Sequence, residues 1–146
     1  MVFTRIPRVK GVMTPFPYHL DGGDSLESAT AMMESHGIRH VPVTEHGRVI
    51  GVISESDLRV ASALAAERGE QSPLKLGVIC TKDPYLVDLE TRLDRVVSEM
   101  AGRQVGSALV MREDKLVGIL TTTDACRLLG ELLRESLPAG GDDDAA

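Results

Sequence analysis

The sequence predicts an α+β fold of two pseudo-symmetric β-α-β-β-α halves packed sheet to sheet. The first reason is an internal repeat in one ungapped frame, 67 positions on. It pairs Thr14 with Thr81, Pro17 with Pro84, Tyr18 with Tyr85, Asp21 with Asp88, Leu26 with Leu93, Met33 with Met100, Val43 with Val110, Gly51 with Gly118 and Asp57 with Asp124. The second is that each half switches from helical to strand spacing of its apolar residues in the same order. The third is size: 146 residues make one compact unit of two halves rather than a long array.

Pro15 and Pro17 favour extended backbone, and a short strand is expected at Tyr18-His19-Leu20. Asp24-Ser25-Leu26-Glu27 then reads as a helix N-terminus with a capping box, followed by an apolar stripe of Leu26, Ala29, Met32 and Met33 and a stop at Gly37. His40–Thr44 and Arg48–Ile53 are strand-forming runs around Glu45-His46-Gly47, a hairpin signal, and a second helix is expected over 54–67. The second half repeats this order. Tyr85-Leu86-Val87 is a strand, Leu93, Val96, Val97 and Met100 form a helical stripe, 105–111 and 115–120 a hairpin, and 122–134 a closing helix. A sheet carrying two helices on one face leaves the other face apolar, and pairing two halves buries both.

The expected organisation is an arm over 1–10, a first repeat over 11–67, a polar linker over 68–73, a second repeat over 74–135 and an acidic tail over 136–146. Arg5, Arg8 and Lys10 lie on the arm, which is expected to cross to the other half or to a partner copy. The tail holds Asp142, Asp143 and Asp144, part of a formal charge of −6. Such a chain does not seek a nucleic-acid backbone. No run approaches the roughly 20 apolar residues of a membrane span, and the N-terminus lacks a signal peptide's apolar block, so a cytoplasmic protein is expected. Cys80 and Cys126 have no metal-ligand spacing and are expected as buried, inert thiols.

The clearest candidate for chemistry is the motif both halves share. Gly51-Val52-Ile53-Ser54-Glu55-Ser56-Asp57 matches Gly118-Ile119-Leu120-Thr121-Thr122-Thr123-Asp124: glycine, two apolar residues, hydroxyl, two variable residues, aspartate. It falls where a strand runs into a helix, so its amides point along a helix N-terminus that favours an anion. An Asp three residues on can accept hydrogen bonds from a ribose diol. The same spacing is also an ordinary capping box, and the two roles are compatible. His36 and His40 have i, i+4 spacing, but Gly37 ends the helix between them, so no metal pair is expected, and His36 reads as a solvated helix-end residue. No nucleophile with a base is visible, so an enzyme is not expected.

With these residues in place, the body from about residue 8 to 134 resembles a tandem pair of CBS domains, the Bateman module. The resemblance rests on Val12-Met13-Thr14-Pro15 and Val78-Ile79-Cys80-Thr81, on Gly37-Ile38-Arg39-His40-Val41-Pro42-Val43, and on the two glycine-to-aspartate motifs. It implies a regulatory module with no obligatory cofactor, binding AMP, ADP or ATP, or S-adenosylmethionine or NAD, in clefts between the halves. It also implies homodimers shaped as a flat disc and an effector protein outside this chain.

Carried onto this sequence, the resemblance gives Asp57 and Asp124 to ribose hydroxyls and Ser54 and Thr121 to phosphate or ribose. Thr14 and Thr81 contact sugar or phosphate, and backbone at Tyr18-His19 and Tyr85-Leu86 reads the adenine edge. Arg39-His40 and Gly106-Ser107 line the clefts. The Asp124 cleft is favoured for occupancy, because Thr121, Thr122 and Thr123 are neutral donors where the first copy has Glu55. The alternative is a structural or dimerisation module whose motifs only cap helices.

Overall fold

A computed structural model describes residues 3–69 and 74–140. Most of the expected linker and the three aspartates of the tail therefore lie outside the described residues. After a single 3-10 turn at Val9–Gly11, the first half runs β1 (Thr14–Pro15), β2 (Leu20–Asp21), α1 (Leu26–His36), β3 (His40–Glu45), β4 (Arg48–Ser54) and α2 (Glu55–Arg68). The second runs α3 (Leu76–Ile79), β5 (Leu86–Asp88), α4 (Leu93–Arg103), β6 (Ser107–Arg112), β7 (Lys115–Thr121) and α5 (Thr122–Ser136). The expected β-α-β-β-α order is present in both halves, on two sheets.

Within each half β2 or β5 pairs parallel with the first hairpin strand, and the hairpins β3-β4 and β6-β7 are antiparallel. His46 and Gly47 both take left-handed backbone, φ 52° and 76°, which a tight two-residue hairpin turn requires. The stripe of α1 buries Leu26, Ala29 and Met33, and that of α4 buries the matching Leu93, Val96 and Met100. Val41, Val43 and Ile53 complete the first core; Ala108, Val110 and Leu120 complete the second. Between Ala108 and Val110, Leu109 is fully buried on the opposite face of its sheet, as Pro42 is between Val41 and Val43.

The halves are also interlaced, which the repeat pattern alone does not reveal. β1 pairs not with its own sheet but with β7 of the other half, Thr14 opposite Ile119 and Pro15 opposite Gly118. Reciprocally, Thr81 bridges Val52 on β4. The arm follows the same exchange: Val9 N–H donates to Thr91 O at 2.8 Å and Val9 is fully buried in the second core. Its counterpart Leu76 donates N–H to Asp24 O at 3.0 Å and is fully buried in the first. Burying each such side chain contributes about 1.5–3 kcal/mol, so the exchange is anchored at both ends.

The motif glycines are what permits it. A Cβ on Gly51 would overlap the Thr81 carbonyl and stand 2.7 Å from Cys80 Sγ; one on Gly118 would meet the Met13 side chain, with Cγ at 2.9 Å. Gly51 and Gly118 thus repeat because the other half's opening segment lies across them.

Three expectations need correction. The opening strands begin later, at Leu20 and Leu86, because pairing starts only where Leu20 meets Val43 and Leu86 meets Leu109. The cap of α1 is Ser25, whose hydroxyl accepts from Ser28 N–H, while Asp24 takes the Asp21 N–H in the preceding turn. Cys126 is exposed on α5, a helix without a fully buried residue, and only Cys80 is buried.

Candidate functional site

Both Gly-to-Asp motifs end a strand and cap a helix in the same way. Ser54 Oγ accepts from Asp57 N–H at 3.1 Å while Asp57 Oδ2 accepts from Ser54 N–H at 3.2 Å. Thr121 Oγ1 accepts from Asp124 N–H at 3.2 Å while Asp124 Oδ2 accepts from Thr121 N–H at 2.9 Å. Each helix start is tied to the residue just before the hairpin's first strand, Glu55 N–H to Arg39 O and Thr122 N–H to Gly106 O. Each cap engages one carboxylate oxygen and leaves lone pairs on the other, since an ionised carboxylate offers about four acceptor sites.

Around Asp124 these elements enclose a cavity of about 830 Å³. The exchanged β1 brings Thr14 beside the end of β7, so the wall is composite. Thr14, Phe16, Tyr18, His36, Arg39 and His40 come from the first repeat; Thr121, Thr123, Asp124 and Arg127 come from the second. The size lies within the range of small-molecule pockets. Arg127 Nη1 reaches Asp124 Oδ1 at 3.3 Å, and Arg39 lines the same cavity with its Nε 3.6 Å from Glu55 Oε2. The Tyr18 ring stacks on His36, centroids 3.7 Å apart and planes 12° from parallel.

His40 stands between the two motifs. Burial pushes its imidazole below the ordinary value of 6.5, Asp57 and Asp124 pull it back up, and Arg39 adds to the lowering. A Cβ on Gly106 would lie 2.5 Å from His40 Nε2, so the small residue there makes room for the ring. One half carries Arg39-His40 and the other Gly106-Ser107, and the bulk of His40 explains why the second pair is small.

The remaining expected site residues fall elsewhere. Ser54 and Asp57 cap α2, and Thr81 lies on the β4 edge. Tyr85 is buried with Arg103 over its ring at 4.7 Å, and Ser107 is buried. Leu86 lines a separate groove with Arg48 and Asp88. Thr122 does not join Thr121 and Thr123 in the cavity; it lines a groove between α4 and α5 with Gly106. His19 lies outside the cavity lining, its Nδ1 3.3 Å from the Pro17 carbonyl. A further groove of about 590 Å³ between α1 and α2 contains neither motif aspartate.

Sequence reasoning passed over Phe16 and Arg127; it named Thr123 as a neutral donor and placed His36 at an exposed helix end, where it is found, without the stack on Tyr18. The signal for Arg127 was present: three residues past Asp124 on a helix is the same face.

This architecture is that of a paired-domain module in which each half completes the other. The chain belongs to the CBS domain family, which matches it twice, over residues 9–64 and 76–131. Solved structures agree. The Vibrio cholerae AcuB protein is 29% identical with a TM-score of 0.76, over 92% of this chain and 100% of its own. The CBS domain pair of the protein MJ0100, in complex with 5′-methylthioadenosine and S-adenosylmethionine, is 25% identical with a TM-score of 0.75, over 87% of this chain and 98% of its own.

Among curated relatives, the L-aspartate semialdehyde sulfurtransferase of Methanocaldococcus jannaschii is 28% identical over 127 residues, 86% of this chain. The chain spans 24%, 20% and 34% of the length of the first three such relatives it matches. No helix among the described residues is long and apolar enough to cross a membrane, and no cluster of metal-ligating side chains occurs among them.

Proposed function

We propose that this CBS pair is a nucleotide-responsive regulatory module that takes a phosphate-bearing adenosine ligand, AMP in the simplest case, in the Asp124 cavity. The observation that carries the reading is that one cavity joins a carboxylate at a helix start to Arg39 and Arg127, contributed by opposite repeats. Asp124 accepts from the ribose hydroxyls with the lone pairs its cap leaves free, and Arg39 and Arg127 receive the phosphate. MJ0100 takes S-adenosylmethionine. The methionine portion of that ligand is net cationic despite its carboxylate, whereas a phosphate is wholly anionic, so two guanidiniums favour a phosphate. Because both repeats build the wall, ligand binds best to one arrangement of the halves and shifts the population toward it, which an effector protein then reads.

The test is calorimetric titration with AMP, adenosine and S-adenosylmethionine, on the parent, Asp124→Ala and Asp57→Ala. AMP is expected to bind more tightly than adenosine, and Asp124→Ala to lose about 1.5–3 kcal/mol with the fold intact. Asp57→Ala is expected to lose little. Equal affinity of Asp124→Ala and parent for AMP would remove Asp124 from the site.

A second reading is supported by α5, whose Leu129 and Leu133 stand 57% and 49% exposed, with Leu137 just past its end 61% exposed. The i, i+4 spacing of Leu129 and Leu133 puts them on one exposed helix face suited to a second copy. Silence across the nucleotide panel from a dimeric protein would favour a dimerisation module.

A further inference from the structure

We propose that Phe16 is a stacking platform for the aromatic base of the ligand, an inference that rests on reading the Asp124 cavity as a nucleotide site. Phe16 is 88% exposed, the most exposed large apolar side chain among the described residues, and it lines that cavity. Its position is set by its backbone rather than by a slack loop. Phe16 N–H donates to Val117 O at 3.0 Å, β1 pairs with β7 on one side, and Pro17 is buried on the other.

The backbone at Phe16 is left-handed, φ 48°, an uncommon conformation for a bulky residue, and it persists here between two prolines. An exposed ring on a fixed backbone at the mouth of a cavity is available to a flat partner. The adjoining wall is aromatic too, since Tyr18 and His36 are already stacked on each other. Purines present such a flat face whatever their edge substituents, so stacking adds affinity for any base, and the edge contacts select among them. The matching position in the second repeat is Asp83, so this platform belongs to one cleft only.

The chain contains no tryptophan, so Phe16→Trp places a single indole emitter at the platform. AMP is expected to quench that emission and ribose 5-phosphate to leave it unchanged. Phe16→Ala is expected to weaken AMP about tenfold without changing affinity for ribose 5-phosphate, and Phe16→Trp to restore AMP binding. Parent-like AMP affinity in Phe16→Ala, or indole emission unmoved at AMP concentrations that saturate the calorimetric signal, overturns the platform. If AMP binding then still depends on Asp124, the nucleotide site stands and only the stacking role falls. If the parent gives no AMP heat, both fall together.

Discussion

Around Asp124 the structure gathers Phe16, His36, Arg39, His40 and Arg127, while the positions matching these five hold Asp83, Arg103, Gly106, Ser107 and Val60. Both clefts derive from one repeated plan, with the same cap, the same exchanged segment and the same aspartate. Charge and aromatic surface have nonetheless accumulated on one side. At the first motif the neighbouring acid, Glu55, is engaged by Arg59 at 2.6 Å and shares Arg39, 3.6 Å away, with the Asp124 cavity that Arg39 also lines, so this motif has an acid where the other has neutral threonines. Tyr85 is buried under Arg103 where Tyr18 stands half exposed. The repeat preserves the scaffold, and the residues that differ decide which cleft has something to hold a ligand with.

The same comparison can be broken at the glycines that hold the halves together. Gly51 faces backbone, the Thr81 carbonyl, whereas Gly118 faces the flexible Met13 side chain. Gly51→Ala is therefore expected to cost about 3 kcal/mol and Gly118→Ala about 1 kcal/mol, because Met13 can change rotamer and a paired carbonyl cannot withdraw. Urea unfolding midpoints of the two variants measure this directly. Equal losses would mean that the exchanged segments are equally free to yield, and the clash at Gly51 would not be what constrains it.

His40 against Ser107 gives a pH-dependent version of the contrast. Burial holds His40 below 6.5 in the folded chain, against the pull of Asp57 and Asp124. The folded state then binds fewer protons than the unfolded one. The resulting stability is complete above 6.5 and is lost as pH falls through the folded value of His40. His40→Ser makes this position match the other half. Between about pH 7.5 and about pH 5 the parent is expected to lose more stability than His40→Ser. Parallel pH profiles of the two would remove His40 as the source.

What could be read from the sequence was what local chemistry decides. The caps at Ser54 and Thr121, the left-handed turn at His46-Gly47 and the stripe of α1 each depend on a few adjacent residues, and each is where the pattern put it. The exchange of β1 onto β7 was not legible. Thr14-Pro15 carries no mark of which sheet edge it joins, and the deciding feature is the bare backbone at Gly118, far along the chain. The cavity inherits that opacity: Phe16 and Arg127 meet in it only because of the exchange. The aspartates were visible because they repeat, whereas the residues that give one cleft its charge and its ring are those that do not.

The smallest difference between the halves lies at the ends of their first helices. α1 ends at Gly37 with φ 63°, and α4 ends at Gln104 with φ 56°. Both residues close the helix through the same left-handed cap, but a side chain with a Cβ pays roughly 1–2 kcal/mol for that conformation and glycine does not. Glycine in turn gives up more chain freedom on folding, which offsets part of the gain. Gln104→Gly is therefore expected to stabilise the protein by about 0.5–1 kcal/mol, and Gly37→Gln to destabilise it by a similar amount. Thermal unfolding of the two variants should move in opposite directions, by about 2–4 °C each. If Gln104→Gly instead lowers the midpoint, the Gln104 side chain contributes more through its contacts along the α4–α5 groove than its backbone costs.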